Sequence, residues 1–147
     1  MNRSPLQLKH YHYTGCHLQA RDLDLAQMEL GDSPYPSMDN IALQPQIRLS
    51  EPEGEDDPHD FLLTLALELR EENARGFPYT FAVEVEGVFN IDHDGLLDER
   101  KKLVVVNGGS MLFGVIREQL LNLSARHKFG PFLLPSLNFQ SLAADQA

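Results

Sequence analysis

Few residues in this chain have the chemistry to act on another molecule, and the densest group sits near the start: His10, His12, Cys16 and His17. Imidazole and thiolate are good zinc ligands, but zinc signatures have paired spacings that this stretch lacks. Two readings stand: a small metal- or ligand-binding enzyme, or an early strand with His10 and His12 on one face and Cys16 as a small, partly buried residue. Asp92, Asp94 and Asp98 suggest calcium. However, the loop has no acid at the fifth position and puts Gly95 in the wrong place for an EF-hand. Gly108, Gly109 and Ser110 form no nucleophile elbow, because Leu112 stands where the second glycine belongs, and they lack the lysine and spacing of a phosphate-binding loop. Glu84 and Glu86 share the polar face of a strand, where acids usually mark the solvated side of a sheet rather than an acid/base pair. No catalytic set emerges, and neither a cofactor nor a bound metal is implied.

The 147 residues suit one domain over 1–147. With 42% hydrophobic and 23% charged residues, the chain should fold around a core. Its formal charge of −10 opposes binding to a phosphate backbone, so nucleic acid is not an expected partner. One cysteine allows no internal disulfide. No apolar N-terminal run or membrane-length stretch is visible, so no stable membrane insertion is expected and the cytoplasm is the expected compartment.

Alternation over Leu6 to Tyr13 predicts a strand, with Leu6, Leu8, His10 and His12 on one face and Gln7, Lys9, Tyr11 and Tyr13 on the other. Arg21 to Leu43 reads as a long connection, rich in Asp, Gly and Pro, yet it also carries Leu23, Leu25, Met28, Leu30, Tyr35, Met38, Ile41 and Leu43. Such a segment must pack against something. Gln46 to Ser50 predicts a short strand, Glu51 to Asp60 a solvated hairpin loop, and Phe61 to Arg70 a strand, its leucines recurring every second residue. Tyr79 to Ile91 is the clearest strand. Leu96 to Val106 suggests a short helix, Gly108 and Gly109 a break with Ser110 as cap, and Met111 to Lys128 a long helix. Met111, Phe113 and Leu121 widen that helix's apolar surface beyond one stripe, so a second layer, such as another subunit, is expected on it. Beyond Gly130 and Pro131 the tail is again apolar. Apolar material that a small domain hides poorly signals association.

The run Ser110, Met111, Leu112, Phe113, Gly114, Val115, Ile116, Arg117, Glu118 resembles the Asn-Ile-Leu-Phe-Pro-Tyr-Ala-Arg-Glu helix start of the SecB protein-export chaperone family. Arg126, Phe129, Leu134, Asn138 and Phe139 continue the match. Upstream, Leu43 to Leu49 looks like the family's Trp-Gln-Pro-Glu-Val-Lys-Leu entry to its second strand, with Leu43 in place of the tryptophan, and Tyr79 to Ile91 resembles its fourth strand.

The resemblance implies an α+β fold: a four-stranded antiparallel sheet, a long crossover between strands 1 and 2, then a long helix. It implies a homotetramer, a dimer of dimers, with Leu112, Phe113, Val115, Ile116, Leu120 and Leu123 at the helix-mediated interface. Its activity would be to hold unfolded polypeptides without ATP in grooves built here from Tyr35, Met38, Ile41, Leu43, Phe132, Leu137, Phe139 and Leu142. Glu84 keeps the acidic position of the fourth strand, a contact for the SecA motor. Gly15 and Gln19 replace first-strand acids of motor-docking members, and the chain ends at Ala147, short of the family's basic tail. Two kinds of client fit this pattern, an exported precursor or an aggregation-prone antitoxin.

Overall fold

The computed structural model describes residues 1–24, 26 and 35–141. Its order is β1 (Leu6–Ala20), β2 (Gln46–Ser50), β3 (Asp60–Leu69), β4 (Tyr79–Ile91), α1 (Leu97–Leu103) and α2 (Gly109–Ser124). The strands form one antiparallel sheet in the order β1-β4-β3-β2, so the chain must cross the sheet between β1 and β2. The expected α+β architecture is present.

In β4 every odd residue from Tyr79 to Ile91 is buried and every even one half-buried. In β3, Phe61, Leu63, Leu65, Leu67 and Leu69 face the same interior. Leucine favours helices, but here its period of two dominates, since each fully buried side chain contributes about 1.5–3 kcal/mol, more than any local propensity. β2 and β4 have the bounds that the sequence predicts.

β1 is longer than the alternation suggests, because register shifts at Lys9 and Thr14 interrupt the period. Each bulge inserts one residue and reverses which face the next side chains take. Leu6 and Leu8 pair with Ile91 and Phe89 on the interior face, but beyond Lys9 it is Tyr11 and Tyr13 that pair with Gly87 and Val85. His10 and His12 fall opposite Val88 and Glu86 on the outer face. The expected grouping of Leu6 and Leu8 with the two histidines is therefore wrong, while the pairing of His10 with His12 is right.

The helical segment corrects a second expectation. Gly108 and Gly109 do not break the chain: both have helical angles, and α1 runs through a π-helical turn, Val104–Gly108, into α2. The glycines are there for close approach. A Cβ on Gly108 would lie 3.1 Å from Leu63 and Phe89, and one on Gly109 3.0 Å from Ile47 and Phe139. Ser110 does not cap; its hydroxyl donates back to the Val106 carbonyl at 2.9 Å. α2 then lays Leu112, Ile116 and Leu120 on the sheet and ends at Ser124, four residues before the expected Lys128.

Beyond Gly130, which has φ +79°, the tail returns across the sheet end. Phe132 stacks on Phe81 at 5.7 Å and meets Phe77 edge-on at 5.0 Å. Buried Ser124 accepts the Phe132 N–H at 3.1 Å, and the Tyr79 hydroxyl donates to the Gly130 carbonyl at 2.6 Å while accepting the Phe129 N–H at 3.0 Å. The helices and tail thus cover one face of the sheet. Among the described residues no helix is long and apolar enough to cross a membrane.

Candidate functional site

On the outer face the histidines of β1 come together: His10 Nε2 lies 3.4 Å from His12 Nδ1, the rings are 5.4 Å apart, and His12 Nε2 is 3.9 Å from Glu86. The metal constellation is nonetheless not assembled. After the second bulge Cys16 pairs with Val83 and His17 with Ala82, so the two point to opposite sides of the strand, and Cys16 is exposed rather than partly buried as expected. Among the described residues no group of three His, Cys, Asp or Glu side chains could hold a metal ion. The Asp92–Asp94 turn is ordered by the chain itself. Gly95 donates to His93 Nδ1 at 3.0 Å, and buried Arg100 donates to the Gly95 carbonyl at 2.7 Å and also pairs with Asp57. Glu84 sits half-buried on the same outer face and accepts the Thr14 hydroxyl at 2.6 Å.

An open groove of about 520 Å³ forms on the other side of the molecule, where the end of the crossover meets α2 and the tail. The crossover contributes Tyr35, Met38, Asp39 and Ile41, α2 contributes Arg117, and the tail contributes Leu133, Leu134 and Pro135. Local chemistry explains the walls. Pro36 fixes its own φ, Asp39 N–H donates to Ser37 Oγ at 3.3 Å, and Ile41 N–H donates to the Met38 carbonyl at 3.0 Å, closing a turn. Buried Met38 anchors that turn in the core, and Leu134 anchors the opposite wall, leaving Leu133 36% exposed between them.

Of the groove residues expected from the sequence, Tyr35, Met38 and Ile41 line this cleft, and Leu43 and Leu137 are half-buried against the core. Phe132 and Phe139 are buried and do not line it. Phe132 is enclosed by Phe77, Tyr79 and Phe81, and Phe139 packs on Phe113 at 5.7 Å. Leu142 lies outside the described residues, as do Leu25, Met28 and Leu30 of the crossover. Arg117, Leu133 and Pro135 were not anticipated. Leu133 adjoins Phe132 in an apolar run, so the sequence carried that signal; Arg117 stood out only as the arginine of the helix start that resembles the SecB family, with no groove role attached.

The residues expected at a subunit interface divide likewise. Leu112, Phe113, Ile116 and Leu120 are buried within the chain, Leu112 so close to β4 that a Cβ on Gly87 would lie 2.9 Å from it. Val115 and Leu123 are half-buried, and on the outer side of α2 Met111 and Gly114 are exposed. Along β1, the edge away from β4 has no strand partner among the described residues.

No family model matches the chain, and no curated protein matches it by sequence. Its class is set by architecture: a four-stranded antiparallel sheet with a long β1–β2 crossover and one long helix, the SecB-like fold. Among solved structures it is similar to a SecB-like chaperone of Mycobacterium tuberculosis in complex with a ChAD peptide from the HigA1 antitoxin. The TM-score is 0.55 and the identity 16%, over 90% of this chain and 91% of that one. It is also similar to a protein of unknown function from Streptococcus agalactiae, with TM-score 0.54 and 10% identity over 90% of this chain and 97% of that one.

Proposed function

We propose that this protein is a binding protein and not an enzyme: an ATP-independent chaperone that holds unfolded or unstable polypeptides. The observation that carries this reading is the groove between Tyr35, Met38, Ile41 and Leu133, open to solvent and anchored through Met38 and Leu134 in the core of a SecB-like fold. A surface that binds extended chains but not folded ones traps the unfolded state by mass action, with no need for a nucleotide. Several such grooves on one oligomer would grip one long client together. A homotetramer supplies them. Its subunit contacts are assigned to the unpaired edge of β1 and to the Met111, Val115 and Leu123 side of α2. The assembly is taken to be cytoplasmic, and its net charge of −10 would keep it soluble.

Equimolar protein should suppress the aggregation of a chemically denatured client without nucleotide. No suppression, together with no binding of unfolded peptides, would overturn the reading. Of the two client classes, an antitoxin is favoured by the similar chaperone solved with an antitoxin peptide. For delivery to SecA, Glu84 of β4 is the contact that the resemblance implies, and it is engaged by Thr14. Identification of what co-purifies from the native cell separates the two, since an exported precursor and an antitoxin are distinct products.

A further inference from the structure

The groove sets an apolar wall beside two charged residues, Asp39 of the crossover and a single cation. Arg117 of α2 lines it, and its Nε is buried without a hydrogen-bond acceptor. The guanidinium makes no ion pair among the described residues, although Asp39 lines the same cleft. A buried donor without an acceptor carries the penalty of its lost hydration, and a carboxylate in the groove offsets it once the Arg117 side chain turns to meet it. An arginine fork matches a carboxylate better than any other common peptide group, giving charge-assisted and often bidentate bonds.

We infer that the groove selects extended segments in which an aspartate or glutamate stands between apolar residues, the carboxylate pairing with Arg117 while its neighbours lie along Tyr35, Met38, Ile41 and Leu133. This rests on the client-holding reading and adds a chemical preference to it. The preference runs against the chain's overall charge of −10, which repels acidic peptides at a distance. It is therefore local. At about 0.15 M salt the screening length is about 8 Å, so the long-range repulsion fades while the contact inside the groove persists.

Fluorescence anisotropy on the full-length chain tests this with two short labelled peptides of alternating leucine and serine, one with a central glutamate and one with glutamine. The glutamate peptide should bind about tenfold tighter. Arg117→Gln should erase that difference, so that the two peptides bind alike, while Arg117→Lys should keep part of it. Equal affinities in the unaltered protein, or a difference that survives Arg117→Gln, would overturn the inference and leave the holding function intact. If Arg117→Gln does not fold, the Arg117→Lys comparison and the unaltered protein still decide. If neither peptide binds, the inference falls, and the holding reading falls with it only if aggregation of a denatured client also goes unsuppressed. If a second copy of the chain fills the cleft, neither peptide binds and Leu133→Asp breaks self-association, which also overturns the inference.

Discussion

Gly108 shows what a single hydrogen atom decides in this molecule. An alanine there gains about 1 kcal/mol of helix propensity but pushes into Leu63 and Phe89, so the two effects should nearly cancel. Valine has the clash without that gain, and Gly108→Val should cost about 1–3 kcal/mol, read as a lower urea midpoint with an unchanged slope. Tyr79 is the second telling residue. Burial raises its pKa above the ordinary tyrosine value, outweighing the opposing bond from Phe129. The unfolded chain therefore releases this proton first as pH rises. The stability it confers is whole below about pH 10 and is lost from there up to the raised value. Half-buried Tyr13, raised by burial and then by nearby Tyr11 and Cys16, adds to the same alkaline loss. Tyr79→Phe should make the fall above pH 10 shallower. At neutral pH it should also cost about 1–3 kcal/mol, because the Phe129 N–H and the Gly130 carbonyl lose their partner; urea titrations between about pH 8 and 11 report both effects.

At the scale of elements, the tail 129–139 behaves as part of the core rather than as an appendage. Phe132→Ala should cost about 3–5 kcal/mol by equilibrium unfolding, far more than Leu133→Ala next to it, whose side chain is 36% exposed. The strands were legible where the alternation was unbroken: β2 and β4 follow directly from residue order, and the leucines of β3 are misleading only to a propensity scale. β1 was truncated at Tyr13 because Thr14 is an extra residue, and the period resumes beyond it in the opposite phase. The glycine pair was misread because helix breaking and close helix–sheet packing leave the same mark in a sequence, and only the positions of Leu63, Phe89 and Ile47 distinguish them. The groove was half legible for a similar reason. Apolar residues in the crossover and tail announce burial or binding alike, and only the packing separates buried Phe132 from exposed Leu133 beside it.

For the whole molecule, one sheet face carries the helices and tail, while the other presents His10, His12 and Glu86 beside an unpaired edge. The tetramer reading predicts a particle four times the 16.6 kDa of one chain by light scattering. Charge on the outer side of α2, as in Met111→Glu, should reduce that mass without lowering monomer stability, because Met111 is exposed. A particle of one chain mass at micromolar concentration would remove the multivalent grip from the proposed mechanism. Peptide binding by a single groove would survive that result.

The two slips in β1 also shape how this strand can change. Because the slip at Lys9 is reversed at Thr14, both ends of the ribbon keep one phase and only the short stretch between them is turned over. Lys9 is itself the extra residue, so its loss would leave His10 opposite Val88 and Tyr11 opposite Gly87, each on its present side of the sheet. What the strand would give up is the added local twist of the bulge, so one codon can straighten or curl this rim towards a neighbour without turning any side chain over.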